Sequence, residues 1–171
     1  MFDRIFHFIV TFWDLMRPWF IIAHYERGII LRLGKPTKSE KKPGIHFKIP
    51  IIDELMVDNV VPRTLNCGTQ TLCTADGEYI TIKLIIAVTV FDVQKALLEV
   101  ENVDDATWNM TIGAAGDAVG ELTLEECKEH DRLANRILEI ANEEILRFGI
   151  VIESCQLAEF AKARAIRLLQ N

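Results

Sequence analysis

The sequence is poor in cysteine, and its thiols are not arranged in pairs. Cys67, Cys73, Cys127 and Cys155 stand at irregular intervals, with no CxxC motif. A disulfide framework or a zinc site needs a more regular spacing, so a reducing compartment is expected. A Gly-rich phosphate loop, a zinc-ligand cluster and a Ser/His/Asp ordering are also missing. We therefore expect a protein without a cofactor, a metal site or catalysis.

The chain also lacks a basic body. Residues 1–50 contain nine Lys/Arg and four Asp/Glu, so their net charge is +5. Because the net charge of the whole chain is −6, residues 51–171 have a net charge of −11. An acidic body argues against nucleic acid as a partner. The basic segment suits an anionic cytoplasmic membrane surface, where each Lys or Arg contributes ~1 kcal/mol. The residues predicted to face headgroups are Arg4, Arg17, Lys38, Lys41 and Lys42. For the three lysines, simple solvation is an equally good interpretation.

We expect no signal peptide, because the first 22 residues have a different pattern. A cleavage site of small residues is absent. At a helical period, the polar residues fall in an arc of about 140°. That arc contains Asp3, Arg4, His7, Thr11, Asp14 and Arg17. The opposite half is apolar and rich in aromatic rings, and it contains Phe2, Ile5, Phe6, Phe8, Ile9, Phe12, Trp13, Leu15 and Met16. The pattern predicts an amphipathic helix that Pro18 ends or kinks.

The predicted helix is too short and too polar to cross a bilayer. Residues 2–17 would rise roughly 24 Å, less than the ~30 Å of hydrocarbon. Burying Asp14 at the bilayer centre would cost at least ~2.5 kcal/mol. We expect insertion into one leaflet, as an in-plane helix or a shallow hairpin bent at Pro18, with Trp13 and Trp19 at headgroup level. The alternative is that the helix packs on the domain's own core or lies in an oligomer interface.

The rest of the chain is predicted to have strands first and helices later. Strands are predicted at residues 20–23, 29–33, 44–50, 55–65, 69–74, 79–90 and 150–157. Helices are predicted at residues 92–98, 104–119 and 158–170, with the longest helix opened by a capping box at Thr123 and stopped by Gly149. Asp76 and Gly77 form a hairpin turn before the long apolar alternation of residues 79–90. This order predicts an α+β domain.

Five segments recur in an order that is specific as a set, although each is weak alone. They are residues 26–35 (ERGIILRLGK), 43–53 (PGIHFKIPIID), 74–78 (TADGE), 119–124 (VGELTL) and 148–152 (FGIVI). Together they resemble the SPFH (band 7) family of stomatins, prohibitins and flotillins, over about residues 20–169. The resemblance implies an α+β domain at residues 23–157, with a mostly antiparallel sheet and packed helices. An amphipathic membrane segment (1–22) precedes it, and the start of a C-terminal helix (158–171) follows.

The resemblance also implies a non-enzymatic membrane scaffold. Its expected partners are the lipid bilayer, copies of itself or related subunits in a homo- or hetero-oligomer, and a membrane protease or channel. The expected location is the cytoplasmic face of a membrane, as a monotopic protein of a prokaryotic inner membrane. Two departures bear on assembly: Gly116-Asp117-Ala118 stands where relatives have an arginine, and the sequence ends where relatives continue into a coiled coil. We therefore expect small oligomers or assembly with a longer partner.

Two other functions are alternatives to the scaffold. One is a soluble interaction module whose N-terminal helix docks on a partner protein. The other is a hydrolase that uses Cys127 with His130, three residues further along a predicted helix. The charged residues around this pair favour a solvated surface over a nucleophile and its base.

Overall fold

The computed structural model describes residues 18–37 and 39–163, and the chain divides into two units, Met1–Val61 and Pro62–Asn171. Lys38 and residues 1–17 and 164–171 lie outside the described residues. The predicted N-terminal helix falls in that undescribed part. In the described residues, all strand pairs of the named sheets are antiparallel, and the helices follow the strands as expected for an α+β fold.

The described part of the first unit consists of strands. β1 (Trp19–Ile22) pairs with β4 (Gly44–Phe47), while β2 (Glu26–Arg32) pairs with β3 (Lys35–Pro36) and β5 (Asp53–Asn59). The sequence predicted that Glu26, Arg27 and Gly28 would separate the strands at residues 20–23 and 29–33, and this prediction is wrong. They lie within β2, because each pairs with a residue of β5.

The second unit is built on a sheet with the order β6 (Arg63–Cys73), β7 (Tyr79–Val90) and β8 (Ile150–Lys162). Every second residue of β7 is buried, from Ile80 to Val90, which confirms the core face predicted from the alternation. The predicted strand at residues 55–65 is interrupted, since β5 ends at Asn59 and β6 begins at Arg63.

The described part of the second unit has four helices: α1 (Val93–Glu99), α2 (Val103–Glu121), α3 (Leu124–Cys127) and α4 (His130–Ile145). Of these, α2 packs on β6 and α4 on β8. The capping box at Thr123 is confirmed, but it opens the four-residue α3. The prediction that it opens the longest helix is wrong; that helix is α2. The chain leaves helical geometry at Glu129, whose ψ of 81° separates α3 from α4.

β8 also corrects the predicted C-terminal helix. Residues 158–162 continue the strand, because β7 offers a backbone partner as far as Lys162, which pairs with Ile80. Lys162 also contacts Glu78 at 2.8 Å, and Lys83 contacts Glu159 at 3.3 Å. Long-range pairing therefore overrides the helical preference of this alanine-rich segment.

Candidate membrane-binding surface

The sheet of β1 and β4 turns four large apolar side chains to solvent. Trp19 lies opposite Phe47, and Ile21 lies opposite Ile45, so the four share one side of the sheet. The exposed fraction is 48% for Trp19, 75% for Phe47, 72% for Ile21 and 68% for Ile45. We call Trp19, Ile21, Ile45 and Phe47 the apolar face.

The side chains on the other side of the same sheet make its contacts within the first unit. Phe20 stacks on His46 with 5.5 Å between ring centroids, and Ile22 is almost fully buried. Both sides of the ribbon are therefore apolar, although a two-stranded sheet is only marginally stable in water. A contiguous exposed apolar patch of this kind marks an interaction surface on a soluble domain.

The loop between β4 and β5 adds further exposed apolar residues. Lys48 N–H donates to the Pro18 carbonyl oxygen at 2.8 Å, so the loop starts at the Trp19 end of the apolar face. Ile51 is 80% exposed in this loop, and Leu33, in the turn between β2 and β3, is 76% exposed. The two segments touch, because Leu33 N–H donates to the carbonyl oxygen of Ile52 at 2.9 Å.

A buried carboxylate fixes this loop. Asp53 accepts two hydrogen bonds from the Arg32 guanidinium, at 2.8 and 3.0 Å, and one from the Ile49 N–H at 2.9 Å. The hydrogen bond from Arg32 is the main reason that the pKa of Asp53 is lowered to about 2. The sequence patterns did not predict this pair. A signal was present, because Arg32 lies in the segment 26–35 of the family resemblance and Asp53, of opposite charge, ends the segment 43–53.

The predicted lipid-facing residues are only partly within the described chain. Pro18 precedes β1, and Trp19 belongs to the apolar face. Lys41 is half-buried and exchanges two backbone hydrogen bonds with Gly28, whereas Lys42 is exposed. The others lie outside the described residues: Phe2, Arg4, Ile5, Phe6, Phe8, Ile9, Phe12, Trp13, Leu15, Met16, Arg17 and Lys38.

The Cys127–His130 pair does not form a nucleophilic site. Cys127 is fully buried at the end of α3, and burial raises the pKa of its thiol, whereas a reactive cysteine needs a lowered pKa. The solvated surface predicted for this residue is therefore wrong. The His130 ring packs against Phe160, with 5.1 Å between centroids. Across residues 18–37 and 39–163, no three His, Cys, Asp or Glu side chains are grouped so as to hold a metal ion.

The segments 74–78 and 119–124 of the resemblance have a structural role. Asp76 accepts hydrogen bonds from the Thr74 hydroxyl and, at 3.2 Å, from the Leu124 N–H at the start of α3. Ala75 N–H donates to the Leu122 carbonyl oxygen at 2.9 Å. These bonds join the hairpin turn before β7 to the link between α2 and α3.

A groove of about 520 Å³ between the helices of the second unit is lined by Leu122, Arg132, Asn135, Arg136 and Glu139. Its two guanidinium groups already have acidic partners, with Arg132 3.1 Å from Glu126 and Arg136 2.9 Å from Glu121. The groove therefore does not bring together unpaired cations for an anionic ligand. None of the helices in the described part of the chain is both long enough and apolar enough to cross a membrane.

Known proteins are similar to this chain across most of its length. A sequence model of the SPFH domain / Band 7 family matches residues 20–166. An uncharacterized protein of Methanocaldococcus jannaschii is 28% identical over 88% of this chain and 76% of its own length. A stomatin homolog of Pyrococcus horikoshii is 26% identical over 81% of this chain and 52% of its own length. Mouse stomatin is 23% identical over 89% of this chain and 53% of its own length.

The chain spans about half the length of these two stomatin relatives. Vibrio cholerae HflK is 30% identical over a shorter stretch, 60% of this chain and 27% of its own length. The family match includes both described units, from β1 through the end of β8. The chain therefore belongs to the SPFH domain / Band 7 family.

Proposed function

We propose that this protein is a non-enzymatic scaffold that binds a membrane surface, assembles with copies of itself or with related subunits, and modulates a membrane partner such as a protease or channel. The observation that carries the proposal is the apolar face, which presents four large side chains on one side of the β1–β4 sheet. The assembly and the membrane partner rest on family membership alone.

The apolar face is a weak anchor by itself. A fully buried Leu, Ile or Phe side chain contributes about 1.5–3 kcal/mol, and these four are only half to three-quarters exposed before binding. Their transfer into lipid is therefore worth roughly 4–8 kcal/mol before the cost of immobilising the protein. A single myristoyl chain, of similar strength, binds membranes only reversibly, so stable attachment needs a second signal.

The predicted amphipathic helix of residues 1–17 supplies that second signal. It directly precedes Pro18 and β1, so the helix and the apolar face would bind the same bilayer. The basic residues of the N-terminal segment favour an anionic cytoplasmic leaflet. Relatives in Methanocaldococcus and Pyrococcus fit a prokaryotic inner membrane.

Vesicle flotation tests the proposal and separates the two contributions. The full chain should float with anionic vesicles and remain bound after a high-salt wash, because the contact is mainly apolar. Replacing Ile21 and Ile45 with Glu should weaken flotation, and so should replacing Phe12 and Trp13 with Glu. The matched control replaces two exposed apolar residues of the second unit, Phe91 and Leu146, with Glu; it should float like the wild type.

The result that would overturn the proposal is a wild-type chain that stays at the bottom of the gradient. Recovery from cells as a stable complex in the cytosolic fraction would instead support the soluble interaction module. If Ile21→Glu/Ile45→Glu floats like the wild type, another surface is responsible for binding.

A further inference from the structure

Two neighbouring loops of the first unit place apolar residues in a backbone conformation that they rarely adopt. Leu33 has a φ of 51° and Ile51 a φ of 71°, and they are the non-glycine residues with positive φ in the described part of the chain. For a β-branched residue such as Ile51 this conformation is an outlier. Strained residues of this kind persist where the surroundings impose them, and they concentrate at functional sites.

Internal packing does not compensate for this strain. Leu33 and Ile51 are among the most exposed large apolar side chains described, at 76% and 80%. For Leu33 the hairpin imposes the conformation, because Leu33 and Gly34 form the two-residue turn between β2 and β3 and both have positive φ. Hydrogen bonds fix the neighbouring loop: Leu33 N–H donates to Ile52, and the carboxylate of Asp53 joins Arg32 to the Ile49 N–H. The first unit thus holds two apolar side chains in contact with solvent. Neither side chain contributes to the packing of the unit's own core.

The charge around the two residues identifies the kind of surface they would meet. Residues 32–53 contain six Lys/Arg and two acids. Both acids have an arginine partner: Glu40 lies 3.7 Å from Arg27, and the buried Asp53 lies 2.8 Å from Arg32. The segment therefore presents apolar side chains among excess positive charge, which is the combination that binds an anionic lipid interface.

We propose that Leu33 and Ile51 form a preformed lipid-inserting tip, which enters the headgroup region of an anionic bilayer beside the apolar face. This inference rests on the proposed membrane function and adds to it a second insertion point and a lipid class. The loops are ordered on folding, so insertion would not require further ordering of the backbone. The tip and the apolar face together would set the orientation of the first unit on the membrane.

Glycine substitution at the tip separates a binding role from a structural one. Leu33→Gly and Ile51→Gly remove the side chain and also relieve the positive-φ strain, since glycine adopts this conformation readily. Each variant should keep or raise the urea midpoint of unfolding. Each should weaken binding to vesicles of phosphatidylcholine and phosphatidylglycerol, by roughly tenfold for one inserted side chain. Ile51→Leu, which keeps an apolar side chain, should retain most of the binding.

Each outcome decides one point. If the wild-type chain binds neither the vesicles that contain phosphatidylglycerol nor vesicles of phosphatidylcholine alone, the proposed function itself is wrong. If the wild type binds and both glycine variants bind equally well, the tip is wrong while the proposed function stands. A lowered urea midpoint in the glycine variants would show that the side chains stabilise the fold, which contradicts the inference. Equal binding to vesicles of phosphatidylcholine alone would overturn the preference for anionic lipid.

Discussion

Replacing Gly149 with alanine tests whether one close backbone contact holds the helices of the second unit against its sheet. Gly149 follows the 3₁₀ turn Leu146–Phe148 with a φ of 75° and leads into β8. Its carbonyl oxygen accepts hydrogen bonds from the N–H groups of Phe91 and Asp92, at 2.9 and 3.0 Å. An added methyl group would lie 2.6 Å from the Asp92 Cβ and would overlap the carbonyl group of the same residue.

The substitution should lower the free energy of unfolding for two reasons, the left-handed conformation and the steric overlap. A comparison with Gly77 distinguishes the two contributions. The left-handed conformation costs an alanine about 1–2 kcal/mol. Moving a packed backbone aside costs about 1–3 kcal/mol more, so Gly149→Ala should lose about 2–5 kcal/mol of unfolding free energy. Gly77 has a similar φ of 80°, but a methyl group added there would have no described atom within 4 Å beyond its chain neighbours. Gly77→Ala should therefore lose only the first contribution, about 1–2 kcal/mol.

Urea unfolding followed by helical circular dichroism measures both variants, since the described helices all lie in the second unit. The midpoint should fall further for Gly149→Ala, with the urea dependence unchanged. Equal losses in the two variants would refute the argument, because they would show that the contact with Asp92 relaxes without cost.

Two further predictions concern side chains of the second unit. Asn142→Leu should cost about 1–3 kcal/mol in the same urea assay, because the side-chain amide bonds both the N–H and the carbonyl oxygen of Ile152, at 2.9 and 3.0 Å; an unchanged midpoint would contradict this. Near pH 8, a thiol reagent should label Cys73 rapidly, since it is exposed. Cys67 is buried, and burial raises the pKa of its thiol to about 11, so it should react only after unfolding; rapid labelling of Cys67 would contradict this prediction. Cys155 is half-buried, and burial raises the pKa of its thiol to about 12, so it should react more slowly than Cys73.

The features that the sequence predicted correctly depend on local signals. The alternation from Ile80 to Val90 identifies a strand and its buried face without knowledge of its neighbours. Thr123 and Glu126 make the reciprocal hydrogen bonds of a capping box within four residues of chain. Gly149 ends the helical segment because its conformation is set by the residues beside it.

The errors arise where distant parts of the chain decide the structure. Residues 158–162 favour a helix by composition, but β7 supplies a long partner strand, and the backbone pairs with it. The segment after Thr123 continues with helix-forming residues, yet the chain breaks its helical geometry at Glu129. Neither outcome is encoded within a window of ten residues.

The candidate membrane-binding surface was also predicted only in part, because local sequence patterns identify its strands but do not determine which side chains are exposed. Sequence patterns predicted strands at residues 20–23 and 44–50, but both sides of the β1–β4 ribbon are apolar, so alternation could not tell which side would face solvent. That choice follows from the packing of Phe20 and Ile22 within the first unit. The loop that contains Ile51 likewise depends on hydrogen bonds to a separate segment, from Arg32 to Asp53 and from Leu33 to Ile52, whereas the positive φ of Leu33 belongs to the two-residue turn that it forms with Gly34.

An apolar sequence does not by itself identify a binding surface, because most apolar residues are needed in the core. The first unit differs in that its hydrogen bonds keep Ile51 exposed at a conformational cost, when a glycine at the same position would avoid that cost. Folding alone gives no reason to keep an isoleucine there. The proposed insertion into lipid would, and the positive charge of residues 32–53 favours an anionic membrane.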